Sequence, residues 1–263
     1  MSTNTTDAPA ATHLEQHEID TFGEQGFLRK GKILTEEELE LLRHEYDAVF
    51  EQAWKENKLS NLSIDRGTDV ETKRKAPEQM LQITQMCERN IHYRKLLYHD
   101  RILDLVADLI GPNIQLFHDQ ALFKPAHVGG SISWHQDNAY WKCRPANLVS
   151  CWLTLDDVDR ENGAMQLIPG SHLKPVWHDQ HESSNSLLKL EGVDESKAVV
   201  VDLPAGGCMF HHCQTLHYTQ PNTTDRQRRA LAIHFMPPGT FSERRDAIIP
   251  VGFKNPLLRF RTG

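Results

Sequence analysis

A histidine and an aspartate two positions apart, His135 and Asp137, are the residues of this chain best suited to chemistry. Alternate residues of a β-strand point to one face, so a strand would present this imidazole and this carboxylate together. Two imidazole nitrogens and one carboxylate oxygen on one face of a metal ion, with the opposite positions open, form the site of non-haem Fe(II) oxygenases. The pattern therefore predicts a metal site that needs a second histidine from elsewhere in the chain.

His217 is the best candidate for that second histidine. Arg228 follows it by eleven residues, at the start of a strand-like run over 229–235. The planar guanidinium group of an arginine can make two parallel, charge-assisted hydrogen bonds to a carboxylate. We therefore expect Arg228 to hold an acidic cosubstrate beside the metal. Ala230 and Ala232, on the same face of the strand, would leave room for it.

A chance occurrence is the alternative for the His-x-Asp triplet, because such triplets are common in surface loops. Here a turn at Gly129-Gly130 precedes it, and the aromatic residues Trp134, Tyr140 and Trp141 surround it. Together with the downstream histidine and arginine, this setting favours the metal site.

A zinc site is a second possible metal cluster. Cys208, His211, His212 and Cys213 are close in sequence, but their spacing matches no standard zinc pattern. We expect the two histidines instead to end a strand beneath the third metal ligand, where either could hydrogen-bond to a ligand.

Composition limits the class of protein. The 263 residues are 39% hydrophobic and 25% charged, which is ordinary for a globular protein with a sizeable core. A formal charge of −7 without a long basic run predicts no nucleic-acid partner. No secretory signal and no apolar stretch of about 20 residues is visible. Five cysteines without a C-x-x-C pair favour reduced thiols, so the sequence predicts a cytoplasmic protein.

The elements that must position these residues fall into two halves. Thr35 and Glu38 form a capping box, after which apolar residues over 39–54 recur at helical spacing. Further helices are predicted at 14–25 and 90–110. Short segments rich in β-branched and aromatic residues follow. Strands are predicted near 114–124, 132–136, 148–155, 164–168, 198–203, 207–212 and 228–236.

Many short strands without helices between them predict an antiparallel sandwich or jelly roll. A long polar loop over 169–197 interrupts them and carries Trp177, His178 and His181. Loops of this length are uncommon unless they are functional or disordered, so we interpret this one as a candidate substrate lid.

In their order and spacing, these residues resemble the phytanoyl-CoA dioxygenase family of Fe(II)/2-oxoglutarate oxygenases. The resemblance covers most of the chain, and no single motif carries it alone. It includes Phe22–Phe27, Gly111–Asn113, Lys124-Pro125, His135-Gln136-Asp137, Asn162-Gly163, Pro169–His172, His217, Asn222 and Arg228.

The resemblance implies a mainly β fold with N-terminal helices: a double-stranded β-helix, or cupin-type jelly roll, that is buttressed by helices. We expect a single domain of this type over residues 1–263. Within it we distinguish a disordered tail at 1–12, helical support at 13–112, a jelly-roll core at 113–240 and a C-terminal segment at 241–263.

The resemblance also implies that His135, Asp137 and His217 bind Fe(II), with 2-oxoglutarate and O₂ as cosubstrates. Oxidative decarboxylation would yield succinate, CO₂ and a hydroxylated product. Related halogenases replace the carboxylate ligand with a small residue, so Asp137 predicts hydroxylation, or a related oxidation such as desaturation.

Four further residues are implied to bind the cosubstrate. Arg228 would pair with the distal carboxylate of 2-oxoglutarate, assisted by Thr219, which follows the third ligand by two residues. Gln120 and Trp152 match positions that line the cosubstrate pocket.

The expected function is hydroxylation of a small molecule: a natural-product intermediate, an amino-acid-like compound or an acyl derivative. The alternatives are a non-catalytic cupin-like protein that binds a metal or ligand, and a hydrolytic or isomerising cupin enzyme with another divalent metal. The sequence does not identify the substrate. Lys142, Arg144 and the stretch Lys73–Lys75 could attract an acid, a phosphate or a CoA ester, and the chain ends without a Ser-Lys-Leu address, which does not favour a phytanoyl-CoA role.

Overall fold

The computed structural model describes residues 13–64, 67–174, 176, 190 and 192–261. The tail predicted at 1–12, and Trp177, His178 and His181 of the predicted lid, lie outside the described residues.

Helices dominate the first 110 residues. The predicted capping box begins the longest of them, since the Thr35 side chain accepts a hydrogen bond from N of Glu38 and the Glu38 carboxylate accepts one from N of Thr35. The predicted helix at 90–110 is divided in two, because His99 has an extended backbone. The helices are α1 Gln16–Gln25, α2 Glu36–Lys55, α3 Val70–Lys75, α4 Met86–Arg89, α5 Ile91–Leu96, α6 Asp100–Ile110 and α7 Asp137–Trp141, with 3-10 helices at Ser171–Leu173 and Glu195–Lys197.

Every predicted strand is present, and each of its ends lies within two residues of the predicted one. Others were not predicted, among them three in the region interpreted as helical support. The strands are β1 Phe27–Lys32, β2 Ser60–Asn61, β3 Leu81–Thr84, β4 Ile114–Lys124, β5 Ile132–His135, β6 Cys143–Arg144, β7 Val149–Thr154, β8 Met165–Leu167, β9 Val199–Val201, β10 Gly207–His212, β11 His217–Thr219, β12 Arg228–Met236, β13 Phe241–Ser242, β14 Ala247–Ile248 and β15 Leu257–Arg259.

Two antiparallel sheets form the body of the molecule. The larger has the order β1-β10-β7-β12-β4-β3-β2, with β15 also paired to β4, and the smaller has the order β5-β11-β8-β9. Strands that are neighbours in these sheets are mostly distant in sequence, as in a jelly roll. The predicted fold, a jelly roll supported by N-terminal helices, is therefore confirmed. A small third sheet joins β14, β13 and β6.

The larger sheet separates two layers of core. Alternation along β12 directs Leu231 and Ile233 to the helices, where they join a cluster with Tyr46 of α2. Ala230 and Ala232 face the other way, into a cluster shared with the smaller sheet. The helices thus buttress one face of the large sheet and leave its other face to the space between the sheets.

All five cysteines are buried, and none of them is in a disulfide bond in this structure. Among the described residues, no helix has both the length and the apolar character that crossing a membrane requires.

Candidate metal centre

His135 and His217 face each other across two neighbouring strands. His135 is the last residue of β5 and His217 the first of β11, and the two are directly paired in the antiparallel ladder. Directly opposed residues have their Cβ atoms about 5 Å apart. The ring centroids of the two imidazoles are 4.1 Å apart. Strand pairing therefore makes neighbours of two residues that are far apart in sequence.

Asp137 also lies beside the two histidines, but it is not on the strand that was predicted to carry it. Strand β5 ends at His135, and Asp137 is the first residue of helix α7, so the argument from strand alternation was wrong for this residue. The turn between them is held by Gln136, whose side-chain amide donates a hydrogen bond to O of Gln214 (2.6 Å). As a result, Oδ1 of Asp137 lies 3.8 Å from Nε2 of His135 and 3.7 Å from Nε2 of His217.

These three side chains offer ligand atoms that all lie within 4.8 Å of one another. Within the described residues, no other group of three His, Cys, Asp or Glu side chains is arranged to hold an ion. The alternative zinc cluster does not form there. His211 contacts Asp137, whereas Nδ1 of His212 accepts a hydrogen bond from N of Gln214.

Backbone carbonyl groups fix the tautomers of both histidines. Nδ1 of His135 donates to O of Ser133 (2.8 Å), and Nδ1 of His217 donates to O of Thr215 (2.9 Å). Because a carbonyl oxygen only accepts, each Nδ1 carries the proton and each Nε2 keeps its lone pair. Both lone pairs are then available at the point where Oδ1 of Asp137 also lies.

The protonation states suit a divalent metal ion. Burial lowers the pKa of His217 well below its ordinary value, an effect that His135 reinforces, and burial also lowers the pKa of His135. Burial opposes ionisation of Asp137, but His217 and the hydrogen bond from His211 outweigh it and hold the pKa of the carboxyl well below its ordinary value. Neutral imidazoles and an ionised carboxylate are the forms that bind metal.

The second carboxylate oxygen of Asp137, Oδ2, accepts hydrogen bonds from two neighbouring side chains. Oδ2 lies 3.2 Å from Nε2 of His211 and 3.3 Å from Oγ of Ser150. Since an ionised carboxylate only accepts, both neighbours donate to it. The sequence predicted that His211 or His212 could bond to a ligand, and the contact is made by His211. Oδ1 is thereby left to face the two histidines.

A longer hydrogen-bonded chain ends at the same carboxylate. The Ser150 hydroxyl group donates its hydrogen bond to Asp137, and its oxygen accepts one from Nδ1 of His234 (2.7 Å). Nε2 of His234 then accepts from the amide nitrogen of Gln120 (3.3 Å), and the Gln120 oxygen accepts from the amide of Gln82. Every link has one donor and one acceptor, so the chain fixes the orientation of each group.

The sequence did not reveal Ser150, His234 or Gln82 as site residues. Ser150 and His234 lie opposite each other in the pairing of β7 with β12. That contact depends on strand register, which the order of residues does not show.

A cavity of about 280 Å³ adjoins the metal ligands. The four residues implied to bind the cosubstrate, Arg228, Thr219, Gln120 and Trp152, all line it. The guanidinium carbon of Arg228 lies 5.7 Å from the centre of the Trp152 ring, and one of its terminal nitrogens donates to O of Leu122 (3.2 Å). The predicted residues are therefore gathered at one place.

Three of the residues that line this cavity have a buried polar atom without a hydrogen-bond partner among the described residues. These atoms are Nε of Arg228, Oγ1 of Thr219 and Nδ1 of His211. Burial lowers the pKa of Arg228 to about 10, so the side chain stays charged at neutral pH. A buried cation and a hydroxyl group without partners fit an anionic ligand that has several acceptor oxygens.

Arg229, the alternative to Arg228, is engaged elsewhere. It lies on the opposite face of β12, where its guanidinium group is 2.7 Å from Oδ1 of Asp156 and 3.0 Å from Oδ2 of Asp47. Among the described residues, Arg228 forms no ion pair.

Comparison with known proteins agrees with this geometry. The family model described as phytanoyl-CoA dioxygenase (PhyH) matches residues 22–230. The chain belongs to this family. It is 28% identical over 235 residues to the human peroxisomal phytanoyl-CoA dioxygenase, covering 84% of this chain and 68% of that protein. It is 29% identical over 147 residues to a probable alpha-ketoglutarate-dependent hypophosphite dioxygenase of Stutzerimonas stutzeri, covering 53% of this chain and 51% of that protein.

Solved structures show the same fold. The non-heme alpha-ketoglutarate-dependent carbocyclase SnoK from nogalamycin biosynthesis superposes with a TM-score of 0.76 at 21% identity, covering 95% of this chain and 99% of that one. The epimerase SnoN, in complex with Fe³⁺ and alpha-ketoglutarate, gives 0.74 at 22% identity, covering 93% and 98%.

Membership of the phytanoyl-CoA dioxygenase family confirms the predicted enzyme class. The protein is an Fe(II)- and 2-oxoglutarate-dependent dioxygenase, with iron as cofactor and O₂ as the second cosubstrate.

Proposed function

We propose that this protein hydroxylates a small molecule and that His135, Asp137 and His217 are its iron ligands. The observation that carries the proposal is the convergence of two neutral imidazoles and one carboxylate, with ligand atoms within 4.8 Å of one another. Two such nitrogens and one oxygen are the donor set of the non-haem Fe(II) oxygenases. The remaining positions around the ion would be open to the cavity.

Arg228 and Thr219 would bind the distal carboxylate of 2-oxoglutarate. Both line the cavity, and each has a buried polar atom without a partner. A carboxylate placed there would accept from the guanidinium group and from the hydroxyl group. It would satisfy both atoms and turn the keto-acid end of the molecule towards the metal ligands. Trp152 supports this arrangement, since its ring lies beside the Arg228 guanidinium.

Bound Fe(II) would supply the activation of O₂, coupled to the conversion of 2-oxoglutarate to succinate and CO₂, with the second oxygen atom going to the substrate. The residues of the chain do the positioning. His211 and Ser150 hold Oδ2 of Asp137, so that Oδ1 stays directed at the ion. Arg228 fixes the cosubstrate by charge and geometry.

The carboxylate of Asp137 supports hydroxylation, or a related oxidation such as desaturation, over halogenation, because it occupies the coordination position that a halide would need. The cavity wall also includes Tyr140 and Trp141. Aromatic walls suit a substrate with an apolar or cyclic part. A natural-product intermediate, an amino-acid-like compound and an acyl derivative all meet that description.

Succinate formation tests the proposal. Protein loaded anaerobically with Fe(II) is given 2-oxoglutarate and O₂, with and without a metabolite library, beside the Asp137→Ala variant. We expect metal-dependent succinate that at least one compound stimulates, and none from the variant. Folded, iron-loaded protein that forms no succinate under any addition would instead indicate the non-catalytic metal- or ligand-binding protein.

The cytoplasmic location, the absence of a nucleic-acid partner and the division of the chain at residues 12, 112 and 240 stay predictions.

A further inference from the structure

A second cavity opens beside the metal cavity. Its volume is about 560 Å³, twice that of the metal cavity at about 280 Å³. We call it the outer cavity. Both cavities are lined by Thr84, His118, Tyr140, Trp141 and Arg244, so they lie side by side.

The outer cavity lies at a gap in the edge of the large sheet. Strand β3 pairs with β4 over 120–123, and β15 pairs with β4 at 114–115. None of the described strands pairs with this side of β4 over 117–119, and these residues form the floor of the outer cavity. The C-terminal segment that contains Arg244, Arg245 and Lys254 forms one wall.

That wall is positively charged. Among the described residues, Arg244, Arg245 and Lys254 form no ion pair with a carboxylate. A terminal nitrogen of Arg244 donates to O of Tyr140 (3.3 Å), which places this side chain where the two cavities meet. The wall therefore carries three exposed cations that have no ion-pair partner among the described residues.

The basic residues that the sequence suggested, Arg144 and the stretch Lys73–Lys75, are not part of this wall. Arg144 is 3.1 Å from Oε1 of Glu243, and Lys75 is 2.6 Å from Oε1 of Glu71. Lys73 is buried and donates to Oδ1 of Asn57. Each of them already has a partner within the protein, and none of them lines either cavity.

Acidic groups on the opposite wall offset this charge only in part, because three basic residues line the outer cavity and only two acidic ones, Glu88 and Asp119, do. Oε1 of Glu88 accepts from the amide of Gln85 (3.2 Å), and Oδ2 of Asp119 accepts from N of Cys87 (3.0 Å). Burial raises the pKa of Asp119 and so opposes its ionisation. Oδ1 of Asp119 is buried without a partner, where it could accept from a substrate hydroxyl or amine.

The size of the metal cavity indicates how a substrate would lie. Sites for small molecules usually measure about 300–1,000 Å³. The metal cavity is below that range, and on the proposed function it must also hold 2-oxoglutarate. A substrate larger than its reacting end would then extend past Tyr140 and Trp141 into the outer cavity.

We propose that the outer cavity binds an anionic group of the substrate, a carboxylate or a phosphate, through Arg244, Arg245 and Lys254. This inference rests on the proposed function and narrows its substrate class. The aromatic pair Tyr140 and Trp141 would contact the part of the molecule between the anion and the carbon to be oxidised.

Matched pairs of compounds test the proposal. Carboxylic acids are compared with their primary amides, and phosphate monoesters with their parent alcohols, which separates the two kinds of anion. The first readout is the rise in melting temperature of protein loaded with Mn(II) and 2-oxoglutarate, which requires no turnover. The second is compound-dependent succinate formation by the Fe(II) form.

We expect binding by one anionic series at least about tenfold tighter than by its neutral partners, as for hydrogen bonds to charged groups. The double variant Arg245→Gln/Lys254→Gln should lose that preference and keep its affinity for 2-oxoglutarate, because both residues line only the outer cavity. Lys142→Gln is the matched control, since Lys142 is exposed nearby and lines neither cavity.

Three results would overturn the inference: neutral partners that bind as tightly as the anions, a double variant with native affinity for the anion, or an equal loss in Lys142→Gln. Failure of the proposed function is distinguishable from these. In that case no compound yields succinate, while the melting-temperature measurement still reports whether the outer cavity prefers an anion.

Discussion

Nε2 of His211 lies 3.2 Å from Oδ2 of Asp137, whereas the other oxygen of this carboxylate, Oδ1, is the one that lies 3.8 Å and 3.7 Å from Nε2 of His135 and His217. The contact is buried, so water does not compete for it. Because His211 belongs to strand β10 of the large sheet and Asp137 is the first residue of helix α7, this hydrogen bond fixes the start of the helix against the sheet.

The variant His211→Leu should weaken metal binding without abolishing the fold. It leaves Oδ2 of Asp137 with Ser150 as its one remaining donor, so the carboxylate loses its fixed orientation. Loss of such a supporting hydrogen bond typically costs about 10- to 100-fold in metal affinity. Anaerobic titration with Mn(II) against a chromophoric chelator measures it. The exposed His44 of α2 supplies the control His44→Leu, which should bind as the native protein does.

Arg228→Gln should weaken 2-oxoglutarate binding, whereas Arg229→Gln should not. Loss of one partner of a buried charge pair costs about 2 kcal/mol or more. The dissociation constant should therefore rise roughly 30-fold. Arg229→Gln breaks the ion pairs with Asp156 and Asp47, so its expected effect is a lower melting temperature. Calorimetric titration of Mn(II)-loaded protein decides the matter, and the opposite pattern would make Arg229 the carboxylate partner.

Gly163→Ala should destabilise the protein more than Gly239→Ala. Both glycines have positive φ, +97° and +88°, which costs an alanine about 1–2 kcal/mol. At position 163 the new Cβ would also lie 3.0 Å from O of Gln220 and 3.0 Å from Cδ of Lys124, whereas at 239 nothing lies within 4 Å. The difference between the two free energies of unfolding, from urea titration, measures the crowding alone. Equal losses of stability would show that the Gln220 backbone and the Lys124 side chain accommodate the new Cβ without an energetic cost.

Stability should fall as the pH drops below about 6.5. Burial lowers the pKa of both His118 and His212 from 6.5 to about 4. Between these values the unfolded chain takes up protons that the folded chain does not, so their contribution is complete above about pH 6.5 and is lost towards pH 4. Urea unfolding at several pH values tests this. His212→Gln should make the decline shallower, and an unchanged slope would remove His212 from the explanation.

Local patterns in the sequence were sufficient for several elements. Thr35 and Glu38 predicted the start of α2, because a capping box involves only four consecutive residues. The strand segments after residue 113 were predicted by their own composition. The family resemblance named His135, Asp137, His217 and the residues of the cosubstrate pocket, and the structure brings them together.

Features that depend on pairing between strands were not predictable. Ser150 and His234 meet because β7 lies beside β12 in one register, and nothing in either segment indicates this. Half of the residues of β1 are polar, so its sequence does not predict a buried strand. In the structure it nevertheless pairs with β10. Arg245 and Lys254 became candidates only once the C-terminal segment was seen beside β4.

The two sheets carry different parts of the site for metal and cosubstrate. His135, His217 and Thr219 belong to the small sheet, whereas Arg228 begins the central strand β12 of the large one. A molecule of 2-oxoglutarate held at both ends would therefore act as a clamp across the sandwich. We expect metal and cosubstrate together to slow amide hydrogen exchange in the strands of both sheets, and metal alone to protect mainly the small sheet.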